Sequence, residues 1–168
     1  SDERGCLIRT YDQKKFKHYS IDTNWVQESR VYTGQKNTLR GIHVSLPPHK
    51  EKKLITAICG TMRWVAVDLR KQSPTFGQHE AIILSSIKNN AIFASAGFAH
   101  GCISLTDECE ILVKADQFFS LEHSTGIAWN DPDLKIDWGL NGAQPIISEA
   151  HNEYESFETF QKLHRGGL

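Results

Sequence analysis

Between Lys53 and Lys114 the chain breaks into six short runs rich in Ile, Val and Leu. They are Lys53–Cys59, Thr61–Leu69, His79–Leu84, Ala91–Ala94, Gly101–Leu105 and Glu108–Lys114, each four to nine residues long. Turn chemistry separates them at Gly60, Lys71-Gln72-Ser73-Pro74, Lys88-Asn89-Asn90, Ala96-Gly97 and Thr106-Asp107. No helical periodicity intervenes, and strands this frequent fold as an all-β sandwich or a jelly-roll barrel. The segment Met62–Asp68 alternates imperfectly, as a strand with one face in a packed core would. A helical turn over Tyr11–Phe16 and a C-terminal helix over Ser148–Leu163 are expected at the periphery. With 168 residues and 39% hydrophobic content, residues 1–168 can bury one core and form one domain.

A net charge of −1 argues against a broad nucleic-acid surface but leaves room for a small basic pocket. No apolar run approaches the roughly 20 residues that span a bilayer, and no signal-peptide pattern is present. Ser1 in place of Met reads as a trimmed start. Cys6, Cys59, Cys102 and Cys109 lack CxxC spacing, and three of them lie in apolar, strand-like surroundings. Free buried thiols are expected over disulfides or a zinc site, which suits a reducing cytoplasm.

The chemistry-bearing residues cluster in two glycine-punctuated segments, Leu39-Arg40-Gly41-Ile42-His43 and Gly97-Phe98-Ala99-His100-Gly101. In a regular strand Arg40 and His43 point to opposite faces, unless Gly41 bends the backbone between them. Lys53 opens the next strand, and His100 falls in the turn that leads into a later one. Two histidines, an arginine and a lysine meeting in a barrel pocket would bind an anion and move a proton beside it. Other readings stand beside this one: His43 and His100 as satisfied structural histidines, and Lys53 as a solvated member of the cluster Lys50, Lys52 and Lys53. Val44 and Ser45 follow His43, so the His-x-His spacing of metal-binding barrels is absent and no metal is implied.

The ordered set Asp2-Glu3-Arg4-Gly5, Leu39–His43, Val65–Arg70, Ser73–Gln78, Gly97–Gly101 and Trp129–Leu134 resembles the dTDP-4-dehydrorhamnose 3,5-epimerase family, the RmlC-like cupins. The resemblance implies a cupin-type jelly-roll β-barrel with short peripheral helices and a C-terminal segment packed on the barrel. It also implies a dTDP-linked 4-keto sugar as substrate, with no metal and no organic cofactor. Carried over by position, His43 is the base that removes a proton beside the ketone, Lys53 the cation at the enolate oxygen, and His100 a second polar contact near the sugar. Arg40 is the diphosphate ligand, Arg4 and Gln27 contact the nucleotide, and Phe118 and Phe119 stand where the family has aromatic residues. The family dimerises by exchanging N-terminal strands, which implies a homodimer in which Arg4 reaches the partner's site. The alternative for Asp2–Thr10 is a frayed terminus. Relative to the family, the first segment ahead of the Asp-Glu-Arg-Gly motif is missing.

Two positions depart from the pattern. The family's acid is a tyrosine before a lysine, and here Val113 precedes Lys114. The family's base is oriented by an aspartate, and here His151 takes that position, so it is read with the catalytic set. The resemblance then implies a keto-sugar epimerase acting at one carbon, C3 or C5, with water, His79 or another group returning the proton. A same-face keto-sugar isomerase and an inactive nucleotide-sugar binder are the alternatives. Trp25, Trp64, Trp129 and Trp138 are read as core or interface residues, without a site role.

Overall fold

The short apolar strands bury their side chains by stacking as two antiparallel sheets. The computed structural model describes residues 2–168. In order the strands are β1 (Gln27–Thr33), β2 (Leu39–Ser45), β3 (Lys53–Cys59), β4 (Thr61–Asp68), β5 (His79–Ser85), β6 (Ala91–Ala94), β7 (Phe98–Ser104), β8 (Cys109–Ala115) and β9 (Ser124–Gly126). One sheet has the order β1-β8-β3-β6, the other β5-β4-β7-β2-β9. The architecture is the expected all-β jelly roll.

The two sheets pack through Ile55, Ala57 and Ile111 on one side and Met62, Trp64, Leu84 and Cys102 on the other. A second cluster covers the outer face of the five-stranded sheet, where Val65, Val67, Leu39, Ile42 and Ile103 meet Leu134, Trp138, Phe157 and Phe160. This explains the imperfect alternation of Met62–Asp68. Met62 and Trp64 face the inter-sheet core, while Val65 and Val67 face the C-terminal layer, so both sides of β4 are apolar.

That layer is fastened by buried carboxylates. Asp131 accepts from the backbone N–H groups of Asp133, Leu134 and Phe157. Asp68, also buried, accepts from Arg70, Ser73 and Thr75 and fixes the loop after β4. Its hydrogen-bond donors hold its carboxyl well below the usual range against the opposing cost of burial. Two of the recognisable motifs, around Asp68 and around Asp131, therefore serve the scaffold.

Four sequence expectations shift. β1 and β9 were not among the expected strands; β1 exposes most of its residues, and its apolar residues are only Val31 and Tyr32. The N-terminal helix, α1, is Gln13–His18, started by Asp12, whose side chain accepts from the N–H groups of Lys14 and Lys15. The expected C-terminal helix is two, α2 (Glu149–Asn152) and α3 (Phe157–Leu163), because Ser156 caps a new helix through its bond from the Thr159 N–H. Among the described residues no helix is long and apolar enough to cross a membrane. All four cysteines are unpaired, but only Cys102 and Cys109 are buried; Cys6 and Cys59 are exposed, which corrects the expectation of buried thiols.

Candidate active site

The ladder between β2 and β7 loses its regular register between Arg40 and His43. Gly41 makes this possible with φ +109°, and a Cβ there would lie 2.5 Å from the carbonyl oxygen of His100. The bulge turns Arg40 and His43 to the same side, as the glycine between them suggested. His43 then sits in register with His100, so two imidazoles stand side by side on the five-stranded sheet. His100 lies inside β7, not in the turn before it. The expected strand started at Gly101, three residues after the observed first residue, because Phe98 and Ala99 belong to the ladder with β4.

These side chains line a cavity of about 220 Å³ between the sheets. Arg40, His43, Trp64, His100 and Cys102 come from the five-stranded sheet. Gln27, Ser29 and Val31 of β1, Lys53 of β3, and Ile111, Val113 and Ala115 of β8 come from the other. The period-two spacing along β1 and β8 is what a strand presenting one face requires. The cavity thus has a wall rich in nitrogen bases facing a wall whose centre, at Val113, is aliphatic.

Burial is the main force on the histidines. It pushes His43 down to about 3, with the charges of Lys53, His151 and Arg40 acting in the same direction. It also holds His100 well below the ordinary imidazole value, again with help from Lys53 and His43. Both are neutral at pH 7. The Cys102 thiol, likewise buried, is pushed up to about 12 and stays protonated. Two buried polar atoms of this floor, Nδ1 of His100 and Nε1 of Trp64, have no hydrogen-bond partner.

His151 approaches from α2. Its ring centroid is 5.2 Å from that of His43, tilted by 49°, and the Gly41 N–H points at its Nδ1 at 3.5 Å. The two rings are neighbours without a hydrogen bond between them, so His151 crowds His43 where a carboxylate would have held its N–H. Burial and the charge of Arg40 keep His151 itself below its usual value.

Lys53 pairs with Glu51 at 2.8 Å, and the Ser45 hydroxyl donates to the same Glu51 oxygen at 2.7 Å. Arg40 donates through Nε to the Thr33 hydroxyl at 3.3 Å and through its other end to the Tyr32 carbonyl at 3.2 Å, which sets the guanidinium at the cavity edge. Gln27 accepts from the Phe119 N–H at 3.0 Å, tying the loop after β8 to β1. Phe119 lines the cavity; Phe118 is 67% exposed and does not.

The structure brings together His43, Lys53, His100, Arg40, Gln27 and Phe119, with His151 behind His43. It does not bring Arg4, whose exposed guanidinium pairs with Asp2 of its own chain at 2.6 Å. His79 opens β5 against Val67 and lies outside the cavity. Sequence reasoning passed over Glu51, Ser29, Cys102 and Trp64. Glu51 was hidden in a run of lysines, and Trp64 looks like any core tryptophan until its sheet is known. Its placement in the wall corrects its reading as core alone.

Comparison with known proteins places the family and the fold. The sequence profile of the dTDP-4-dehydrorhamnose 3,5-epimerase family matches residues 1–159. The chain is 38% identical over 157 residues to the enzyme of that name from Pseudomonas aeruginosa, covering 93% of this chain and 85% of the relative. The crystal structure of a Bacillus anthracis dTDP-4-dehydrorhamnose 3,5-epimerase with TDP and pyrophosphate bound superposes with a TM-score of 0.91 at 32% identity, covering 94% of this chain and 89% of that one. A 3'-monoepimerase from Streptomyces bikiniensis in complex with dTDP-quinovose superposes with a TM-score of 0.90 at 26% identity, covering 98% and 82%.

Proposed function

The chain belongs to the dTDP-4-dehydrorhamnose 3,5-epimerase family, and on that premise we propose that its cavity takes a dTDP-linked 4-keto-6-deoxyhexose and inverts one carbon beside the ketone. The protein is an isomerase-type enzyme of deoxysugar biosynthesis. The observation that carries the single-carbon reading is the asymmetry of the walls. His43, neutral and half-buried, stands on one, and Val113, which has no exchangeable proton, stands at the centre of the other.

A ketone acidifies the C–H bonds on either side of it, and His43 removes one such proton to give an enolate. The ammonium of Lys53 meets the enolate oxygen, where negative charge develops. His100 holds a sugar oxygen from the same sheet. Arg40 takes the diphosphate with its planar fork, and Gln27 with Phe119 receives the nucleoside at the cavity mouth. Inversion needs a proton from the opposite wall. Ser29, exposed and in register with Val113, is the hydroxyl beside that position; solvent water returns the proton, and the proton taken by His43 neutralises the hydroxide left behind.

The same reading makes the protein a cytoplasmic homodimer. The N-terminal segment supports it: Leu7 is 87% exposed, and residues 2–5 bridge only one another. Laid on a partner, this segment would deliver Arg4 to the neighbouring nucleotide site. Four unpaired cysteines, two of them exposed, fit a reducing compartment.

The test is proton NMR of dTDP-4-keto-6-deoxyglucose with the enzyme in deuterated water. Exchange and inversion at one carbon, lost by about a hundredfold or more in His43→Ala with dTDP affinity kept, is the expected result. Label entering both carbons with both inverted overturns the single-carbon reading, and binding without exchange overturns catalysis on this sugar.

A further inference from the structure

Base and cation reach this cavity from different sheets: His43 from β2 of the five-stranded sheet, Lys53 from β3 of the four-stranded one. A proton-abstracting base and an oxyanion-stabilising cation must keep a fixed separation around one ketone, because a misplacement near 1 Å costs about a hundredfold in rate. The connection β2–β3 alone does not supply that separation, since its residues Pro47, Pro48 and Lys50 are exposed.

Glu51 does. Its side chain is 8% exposed and its Oε1 sits 2.8 Å from the Lys53 ammonium. The same oxygen accepts at 2.7 Å from the hydroxyl of Ser45, two residues after His43 on β2. One carboxylate oxygen thus links the strand that carries the base to the side chain that carries the charge. It is the carboxylate of a cavity otherwise furnished with Arg40, His43, Lys53 and His100. An ammonium has three donors; one is taken by Glu51, and the others remain for a ligand oxygen. Without Glu51, the Lys53 ammonium would lose the ion pair that holds it.

We propose that Glu51 is a positioning residue, which fixes the Lys53 ammonium relative to His43 through the shared Ser45–Glu51–Lys53 contact. The proposal rests on the enolate chemistry above and adds a residue to it. Glu51 acts through Lys53, the side chain it pairs with.

The decisive variant is Glu51→Gln, which keeps a side-chain oxygen for Ser45 and removes the charge that holds Lys53. Exchange of dTDP-4-keto-6-deoxyglucose in deuterated water should slow about tenfold to a hundredfold, as for other outer-shell partners, while the dissociation constant for dTDP stays within threefold. Glu51→Asp should recover part of the loss. In a Lys53→Met background, Glu51→Gln should cost nothing further, because the group it positions is gone. An unchanged rate in Glu51→Gln, or an equal loss with and without Lys53, overturns the proposal. A second readout needs no substrate: in protein labelled with ¹⁵N-lysine, the ammonium resonance removed by Lys53→Met should be visible at pH 7 and broadened away by Glu51→Gln. Its absence from the wild type, or its persistence in the variant, also overturns the proposal. If the resonance behaves as expected and the wild type exchanges no proton from this sugar, the failure belongs to the assigned function and not to the positioning.

Discussion

Ser29 and Val113 are register partners on β1 and β8, and both line the cavity wall that faces His43. The pairing places a hydroxyl next to an aliphatic side chain at the point where inversion calls for a proton.

Restoring a phenol there should widen the chemistry. Val113→Tyr is expected to add proton exchange at the second carbon beside the ketone, where general-acid catalysis contributes about a hundred- to ten-thousand-fold. Proton NMR in deuterated water reads both positions in one experiment. Exchange still confined to a single carbon in a folded variant would show that Val113 is not what limits the reaction.

Arg40 should carry affinity more than rate. Its guanidinium is held at the cavity edge by Thr33 and the Tyr32 carbonyl, and charge-assisted bonds to a diphosphate are worth about 1.5–3 kcal/mol. Titration calorimetry of Arg40→Ala with dTDP should show affinity about tenfold to a hundredfold weaker, with a smaller dependence on salt. Wild-type affinity in this variant would remove Arg40 from the phosphate site.

Stability should fall as the solution is acidified through the histidine range. Unfolded, His43 and His100 take up protons near pH 6.5; folded, burial holds both well below that. Depressed folded values mean full stability above about pH 6.5 and loss as pH falls, with a limiting slope of about 1.4 kcal/mol per pH unit for each histidine. Asp68 does not mask the effect, because its stabilising contribution is lost only below the ordinary carboxylate range. Denaturant titrations at pH 7 and pH 5 should differ accordingly, and His43→Asn should shrink the difference. Equal stability at both pH values would contradict the neutral state of these rings.

Gly41→Ala should destabilise the protein and disarm the site together. The positive φ alone costs a residue with a side chain about 1–3 kcal/mol, and the added Cβ would meet the His100 carbonyl. Thermal unfolding should show the loss, and a variant as stable as wild type would mean that the bulge can be made without glycine.

Much of this protein is legible in the chain itself. Short β-branched runs cut by Gly, Pro and Asn specify strands, because those residues fit a pleated, half-buried surface and the punctuation cannot continue it. Lys53–Cys59 and Ala91–Ala94 were placed to the residue. The motifs around His43 and His100 pointed to residues that line one cavity, and Gly41 marked the bend that turns Arg40 and His43 to the same side. Edge strand β1 was not legible, since it opens on Gln27-Glu28-Ser29-Arg30 and exposes most of its residues.

Only the tertiary structure decided which residues share a wall. Glu51 is one charge among lysines until folding buries it between Ser45 and Lys53. Trp64 and Cys102 look like core until the gap between the sheets shows them lining a cavity. His151 is a distant histidine until α2 sets it against His43. The reason is physical: local sequence fixes backbone conformation through short-range sterics and alternation, whereas burial, charge pairing and shifted titration arise between segments far apart in the chain.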